Sequence, residues 1–431
     1  MNRFQLAKRP LETVESHKRS GRSSLRAVVG VLAGIVFLAL PLPAQNRSVD
    51  GIYRGAIGNQ EIVVELRGPL DGKHAENYAD ARDSRTYPIQ GHYFYRRHGV
   101  SIDLVGTPQG DGILRLREYR QRGFRQDAEF TADWRLTMGE SKATGTFCKC
   151  DLSQPSASAG PQQKISLTRV SRKLTPDSGW QNYKPNSGNT YLDLLLDFPL
   201  QRGPEIQVSP EVAYRMRTDP RFKVSLPRLT RFPNAVVMAR INRDLDAGLT
   251  DNRLRAAAFS SVGEGVFGGF YDETTSVNFF LPHVLSLLVQ TQWYYGGAHP
   301  NEGGYSHNYN LHTGKRFALE EVFQTSSGGP AEAESAAILA KLYLRHFVKP
   351  VSGEAPVDNC EEIVREVVSG KDAPFGPLLY LSQKGLVIDP PLPRAVQVCG
   401  PAVTVPYREL RPFVKRGTIL RLLVDARTIN K

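Results

Sequence analysis

From Gly51 to Val170 apolar and polar positions alternate with a period of two. The runs are Ile62-Val63-Val64-Glu65-Leu66, Gly91-His92-Tyr93-Phe94-Tyr95, Ser101-Ile102-Asp103-Leu104-Val105, Ile113-Leu114-Arg115-Leu116-Arg117-Glu118 and Ile165-Ser166-Leu167-Thr168. Glycine-bearing turns separate them, so the pattern predicts an antiparallel meander over residues 49–170. Closing or stacking such a sheet buries its apolar face and limits exposed edges, which predicts a small barrel or a sandwich. Between Ser171 and Gly188 the alternation stops, and Pro176, Gly179, Pro185, Asn186 and Ser187 gather; this reads as a linker.

Beyond the linker, over 189–431, the periods are mixed. Val237, Ile241 and Leu245 fall at helical spacing, as do Ile338, Leu339, Leu342 and Phe347 in the stretch after Pro330. Tyr271 to Phe280 and Val284 to Trp293 read as strands, and Ser326-Ser327-Gly328-Gly329 as a loop. The predicted fold class is therefore two domains, an all-β antiparallel meander followed by an α+β domain. Mature length alone also calls for more than one core.

At the start of the chain, Lys18, Arg19, Arg22 and Arg26 precede the uncharged apolar run Ala27 to Leu42, and Pro41-Leu42-Pro43-Ala44-Gln45 follows. Residues 1–44 read as a secretory signal, cleaved near Gln45. The run is close to the lower limit of about 17 residues for a membrane span, which leaves an uncleaved signal anchor as the alternative and the only expected membrane attachment. Either way the expected location is periplasmic or secreted. With the seven Lys/Arg and two Asp/Glu of residues 1–45 set aside, the formal charge of +12 falls to +7. Those charges are interspersed, a poor pattern for nucleic acid, though an anionic wall polymer or an acidic protein would still be attracted.

In an exported chain, four cysteines are expected to pair. Cys360, at the start of a helical stretch, and Cys399, before a proline-terminated turn, are expected to bond to each other, closing a loop of about 40 residues. Cys148-Lys149-Cys150 reads as a local or intermolecular disulfide, with a redox site or half a metal site as sharper alternatives; no C-x-x-C accompanies it. Gly263-Glu264-Gly265-Val266-Phe267-Gly268 has the spacing of a dinucleotide fingerprint, but a strand follows where the helix should begin. Thr313-Gly314-Lys315-Arg316 lacks the upstream glycine and following hydroxyl of a P-loop, and G-x-S-x-G and H-E-x-x-H are absent. No catalytic residue, cofactor or metal is expected.

The segment Tyr294-Tyr295-Gly296-Gly297-Ala298-His299-Pro300, continuing through Asn308-Tyr309-Asn310-Leu311-His312-Thr313-Gly314-Lys315 to Leu319-Glu320-Glu321-Val322-Phe323, places a glycine-rich turn with one histidine between two strands. Phe232-Pro233 and Ile241-Asn242 precede it. Leu378 to Asp389, with the turn Lys384-Gly385-Leu386, and Val405-Pro406-Tyr407-Arg408-Glu409-Leu410 follow. In this order, over roughly residues 220–425, the motifs resemble the extracytoplasmic domain shared by RsiV-type anti-sigma factors and the non-catalytic part of PdaC-type peptidoglycan deacetylases. The Asp-Asp and H-x-x-x-H motifs of the deacetylase catalytic domain are absent, and the segment before Ala27 is too short for a sigma-binding domain. Asn310 stands where the pattern usually has an aspartate, which puts in doubt any role that needs charge there.

The resemblance implies an α+β domain outside the cytoplasm that recognises a lysozyme-like protein or cell-wall glycan. Tyr294, Tyr295, Gly296, Gly297, His299, Asn301 and Glu302 are the expected recognition residues, since loops held by rigid strands and flat amphipathic rings suit binding. The alternative is a hydrolase of envelope polysaccharide or peptidoglycan that uses the His299 loop. His307 and His312 would face opposite sides of a hairpin arm, which disfavours a three-histidine metal site with His299. Asp272 and Glu273 would likewise point apart.

Overall fold

In the computed structural model the described residues are 48–70, 87–121, 128–149, 161–175, 188–263, 270–294, 299–323, 331–348, 359–369 and 375–429. The predicted signal segment, most of the predicted linker, the loop 326–329 and Cys150 lie outside them.

Eight antiparallel strands open the fold: β1 (Gly51–Ile57), β2 (Gln60–Arg67), β3 (Ile89–Tyr95), β4 (Ser101–Gly110), β5 (Ile113–Gln121), β6 (Ala128–Met138), β7 (Lys142–Cys148) and β8 (Gln163–Ser171). Each pairs with the next, and β8 returns to β1, so the sheet is a closed barrel without a free edge. Alternate side chains point inward, and Tyr53, Val64, Tyr93, Leu114, Leu116, Trp134 and Phe147 fill the interior. An eight-stranded barrel is just wide enough to be packed this way. One inward carboxylate, Glu118, accepts hydrogen bonds from the Tyr93 hydroxyl, from Thr131 Oγ1 (2.9 Å) and from Trp134 Nε1 (3.4 Å), which offsets its burial.

The outer face of the barrel is also covered in part. Ile52, Val63 and Phe94 join an apolar cluster with Tyr191, Leu192 and Leu195 of α1 (Thr190–Leu196) and with Phe222, Leu249 and Leu254 further along the chain. Beside them Glu65 is fully buried and accepts from Arg67 (2.8 Å) and from the Thr175 backbone N–H (3.2 Å). Asn189 caps α1 by accepting from the Leu192 N–H (3.1 Å), and Thr175 donates to the same amide oxygen (3.3 Å). Thr175, inside the predicted linker, is thus fastened to the barrel wall through Glu65, and Asn189, just past the linker, is tied to Thr175.

The remaining chain forms three small sheets and the helices that pack on them. β9 (Gln201–Ser209), β10 (Val212–Thr218) and β11 (Ser225–Arg231) make the first. After it runs α2 (Ala235–Gly263), whose first turn is capped by Asn234 Oδ1 accepting from the N–H groups of Val236 (3.0 Å) and Val237 (3.1 Å). Val237, Ile241 and Leu245 share one helical face and bury against Leu285, Leu287 and Tyr309. Gly263 ends this helix and a strand follows, the reverse of the order a dinucleotide fingerprint needs.

The second sheet has the order β12 (Phe270–Phe280), β13 (Val284–Tyr294), β14 (Asn301–Asn310), β15 (Arg316–Phe317). Two helices follow, α3 (Ala331–His346) and α4 (Cys360–Ser369), and then the third sheet: β16 (Leu378–Leu381), β17 (Gly385–Asp389) and β18 (Val403–Pro406). The described chain closes with α5 (Tyr407–Leu410) and α6 (Ile419–Ile429). Phe280, Val284, Leu339, Leu342, Tyr343, Leu386, Val405 and Leu420 build the core between these layers.

A charged knot joins the parts. Asp219, after β10, is fully buried and receives Arg221 (2.7 Å) and Arg253 of α2 (2.7 Å). The same guanidiniums donate to the carbonyls of Leu195 (2.8 Å) and Leu196 (2.8 Å) at the end of α1, where carbonyls lack helical partners.

Candidate functional site

β14 pairs with β13 over its whole length, from Val284 opposite Asn310 to Trp293 opposite Asn301, with no bulge. Side chains of β14 therefore divide cleanly by parity. The odd face turns to α2: the Tyr305 hydroxyl donates to Asn252 (2.7 Å) and that of Tyr309 to Asp244 (2.7 Å). On the even face Ser286 donates to Asn308 (2.7 Å), and Asn308 to Ser306 (3.1 Å). At Gly304 a Cβ atom would lie 2.9 Å from the Val289 carbonyl and 3.0 Å from Leu378 Cδ2, so glycine is what lets β16 come this close.

A turn ends β14, and Asn310 organises it. Its carbonyl accepts from the N–H of Gly314 (2.7 Å) and its side-chain oxygen from the N–H of His312 (2.8 Å), while Gly314 adopts φ +70°. This role needs an acceptor oxygen and not a charge, so the amide of Asn310 serves it. Beyond the turn β15 pairs only with Asn308 and Tyr309.

Along the part of β14 that β15 leaves uncovered lies a cleft of about 950 Å³. Gln290, Gln292, Glu302, Ser306 and His307 line it from the sheet, Arg316, Glu320 and Glu321 from the segment after the turn, and Leu378, Asp389, Pro390 and Leu392 from the third sheet and the loop after it. Glu302 is held by Arg394 and by Gln292 Nε2 (3.1 Å). Arg394 begins the 3-10 turn Arg394–Cys399, whose last residue is disulfide-bonded to Cys360 of α4 across a Cα–Cα distance of 4.8 Å. The expected Cys360–Cys399 bridge is thus present, and it anchors the turn that clamps Glu302. Cys148 is also disulfide-bonded, and its partner lies outside the described residues.

Electrostatics in the cleft follow from burial. His307 is lowered to about 4 by burial and by the adjacent Arg316 guanidinium, so it is neutral; its Nδ1 faces Arg316 Nη1 at 3.0 Å. Asp389 is raised above the ordinary aspartate value by burial. Glu320 and Glu321 are exposed at the rim.

The expected recognition residues divide into three groups. Glu302 lies in the cleft, and Asn301 is half-buried beside it at the start of β14. Tyr294 ends β13 with its ring stacked near Phe270 (6.3 Å), and His299 is exposed with Nδ1 3.2 Å from the carbonyl of Pro300. Tyr295, Gly296 and Gly297 lie outside the described residues. His312 does not share a strand with His307: it sits past the strand end, 3.2 Å from His283, a contact the sequence reading did not anticipate. Asp272 is exposed and Glu273 buried, on opposite faces as expected. Among the described residues no three His, Cys, Asp or Glu side chains converge as a metal-ligand set. Among the cleft residues that sequence reasoning missed are Arg316, Asp389, Pro390 and Leu392, and beside the cleft it missed Arg394, which holds Glu302. Their only local signals were the Lys-Arg after the Thr-Gly turn and the proline-rich stretch after β17.

No family model matches the chain, and no curated protein matches it. Among solved structures it is similar to a member of the DUF3298 family from Bacteroides fragilis, at 14% identity and a TM-score of 0.33, over 52% of this chain and 97% of that one. It is also similar to a DUF3298 family protein from Pseudomonas aeruginosa, at 16% identity and a TM-score of 0.30, over 52% of this chain and 98% of that one.

Proposed function

We propose that the chain is an exported, non-catalytic binding protein of the bacterial cell envelope, of the RsiV and PdaC type in its C-terminal part, and that it meets its ligand in the cleft beside β14. The ligand classes are a lysozyme-like protein and cell-wall glycan. The observation that carries this reading is the cleft itself, a concave site of about 950 Å³ where polar side chains from one sheet face apolar ones from another. Two acid-base groups along it are engaged by arginines, Glu302 by Arg394 and, at the sheet edge, His307 Nδ1 by Arg316. Groups held in fixed bonds are pre-organised for contact with a ligand. The motif order and the signal-like N-terminus support export.

Binding of the chain from Gln45 onward to two probes, purified peptidoglycan sacculi and lysozyme, tests the reading. One of them should bind, and Gln290→Trp, an exposed cleft position, should weaken it about tenfold by filling the site while leaving the melting curve unchanged. Release of soluble fragments from sacculi, lost with His299→Ala, would establish the hydrolase instead.

A further inference from the structure

We propose that the uncovered edge of β14 adds a strand: an extended, basic segment of a partner polypeptide pairs with it in the cleft. This rests on the cleft being the recognition site and names what occupies it. The direction of the edge groups is set by the turn, where the Asn310 N–H donates to the Lys315 carbonyl (2.9 Å), away from β13. Alternation along an unbulged antiparallel strand then turns the N–H and C=O groups of Glu302, Gly304 and Ser306 the same way. Among the described residues β15 is the only strand on that side, and it reaches only Asn308 and Tyr309.

Natural edges are blunted by proline, lysine, bulges or an overlying element. This stretch, Glu302-Gly303-Gly304-Tyr305-Ser306-His307, has no proline, lysine or bulge, and what lies along it is a cleft. Main-chain pairing supplies affinity in strand addition, and pockets for alternate side chains supply selectivity. At about 3.3 Å per residue the stretch accommodates a strand of roughly five residues. A row of donors and acceptors at that spacing matches a polypeptide backbone, not a sugar chain.

Charge selects a basic segment. Glu302 is neutralised by Arg394, which leaves Glu320, Glu321 and Asp389 against Arg316. The cleft is thus acidic in a chain of formal charge +12. Leu378, Pro390 and Leu392 supply apolar wall for residues alternating with the basic ones.

The probes are a fluorescein-labelled decapeptide of alternating Lys and Val, the Glu and Val counterpart, the Lys peptide N-methylated at every second residue, and chitohexaose as a peptide-free glycan. The Lys peptide should bind and slow hydrogen exchange at the amides of Gly304 and Ser306. N-methylation, or Glu for Lys, should weaken binding about tenfold, as expected for losing one or two hydrogen bonds or reversing the charge match. Ser306→Pro removes one edge donor and should weaken the Lys peptide similarly; if that variant fails to fold, Glu320→Lys with Glu321→Lys gives the same readout from the rim. Equal binding of the N-methylated peptide, or no binding of the Lys peptide, overturns strand addition. If chitohexaose alone protects the cleft residues, the cleft remains the site and only the strand inference falls. If no probe, including sacculi and lysozyme, perturbs the cleft, both readings fall together.

Discussion

Asp219 shows how a single carboxylate holds distant parts of the chain. Burial alone would raise its pKa, but the hydrogen bonds and charges of Arg221 and Arg253 outweigh this and hold it below the usual aspartate value. A depressed folded-state pKa contributes stability that is present above the unfolded value of about 3.9 and lost as pH falls toward the folded one. Asp219→Asn should therefore destabilise the protein by about 3–5 kcal/mol at neutral pH, because two buried guanidiniums lose their counter-charge. Urea unfolding should show that deficit at pH 7 and a smaller one below pH ~3. An equal loss at both pH values would mean that packing, not charge, holds the knot. Asn310 makes the converse point, since its bonds in the turn need only an acceptor oxygen.

Among the elements, α4 and the turn Arg394–Cys399 depend on the bridge between them. With 39 residues of sequence separation, the chain-entropy model gives about 3–4 kcal/mol for the Cys360–Cys399 bond. Cys360→Ser with Cys399→Ser should lower the free energy of unfolding by that amount, measured in urea without reductant; an unchanged midpoint would show that the bond adds nothing. The elements differ in how openly they can be read. β2 to β5 and β8 were legible from alternation, α2 from Val237, Ile241 and Leu245, β13 from its apolar run, and β12 as the strand-like stretch Tyr271 to Phe280 before it. The sheet β9 to β11 was not, because β9, Gln-Arg-Gly-Pro-Glu-Ile-Gln-Val-Ser, is largely exposed on both faces and carries no alternation. β1, β6 and β7 were also missed as named strands: in β1 and β7 a glycine, Gly55 or Gly145, takes an inward position and weakens the pattern, whereas β6 alternates openly from Ala132 to Met138 and was legible.

At the scale of the whole molecule, the sequence boundary near 171–188 marks a change of period, yet an apolar cluster crosses it. The signal was present in Ile62-Val63-Val64: a continuous apolar run means a strand buried on both faces, and Val63 indeed packs outward toward α1 and α2. The site was half legible. The glycine-rich hairpin pointed to Glu302 and β14, but the opposite wall, Leu378, Asp389 and Pro390, comes from a later sheet, and only folding brings it there. The central claim, that the molecule meets its envelope ligand at this wall and not elsewhere, is tested most directly by site-specific photocrosslinking. A photoreactive side chain at Gln290, in the cleft, or at Lys164, exposed on the barrel, would be irradiated in the presence of sacculi and of lysozyme. Adducts from position 290 and none from 164 are the predicted result; adducts from 164 alone would contradict the account.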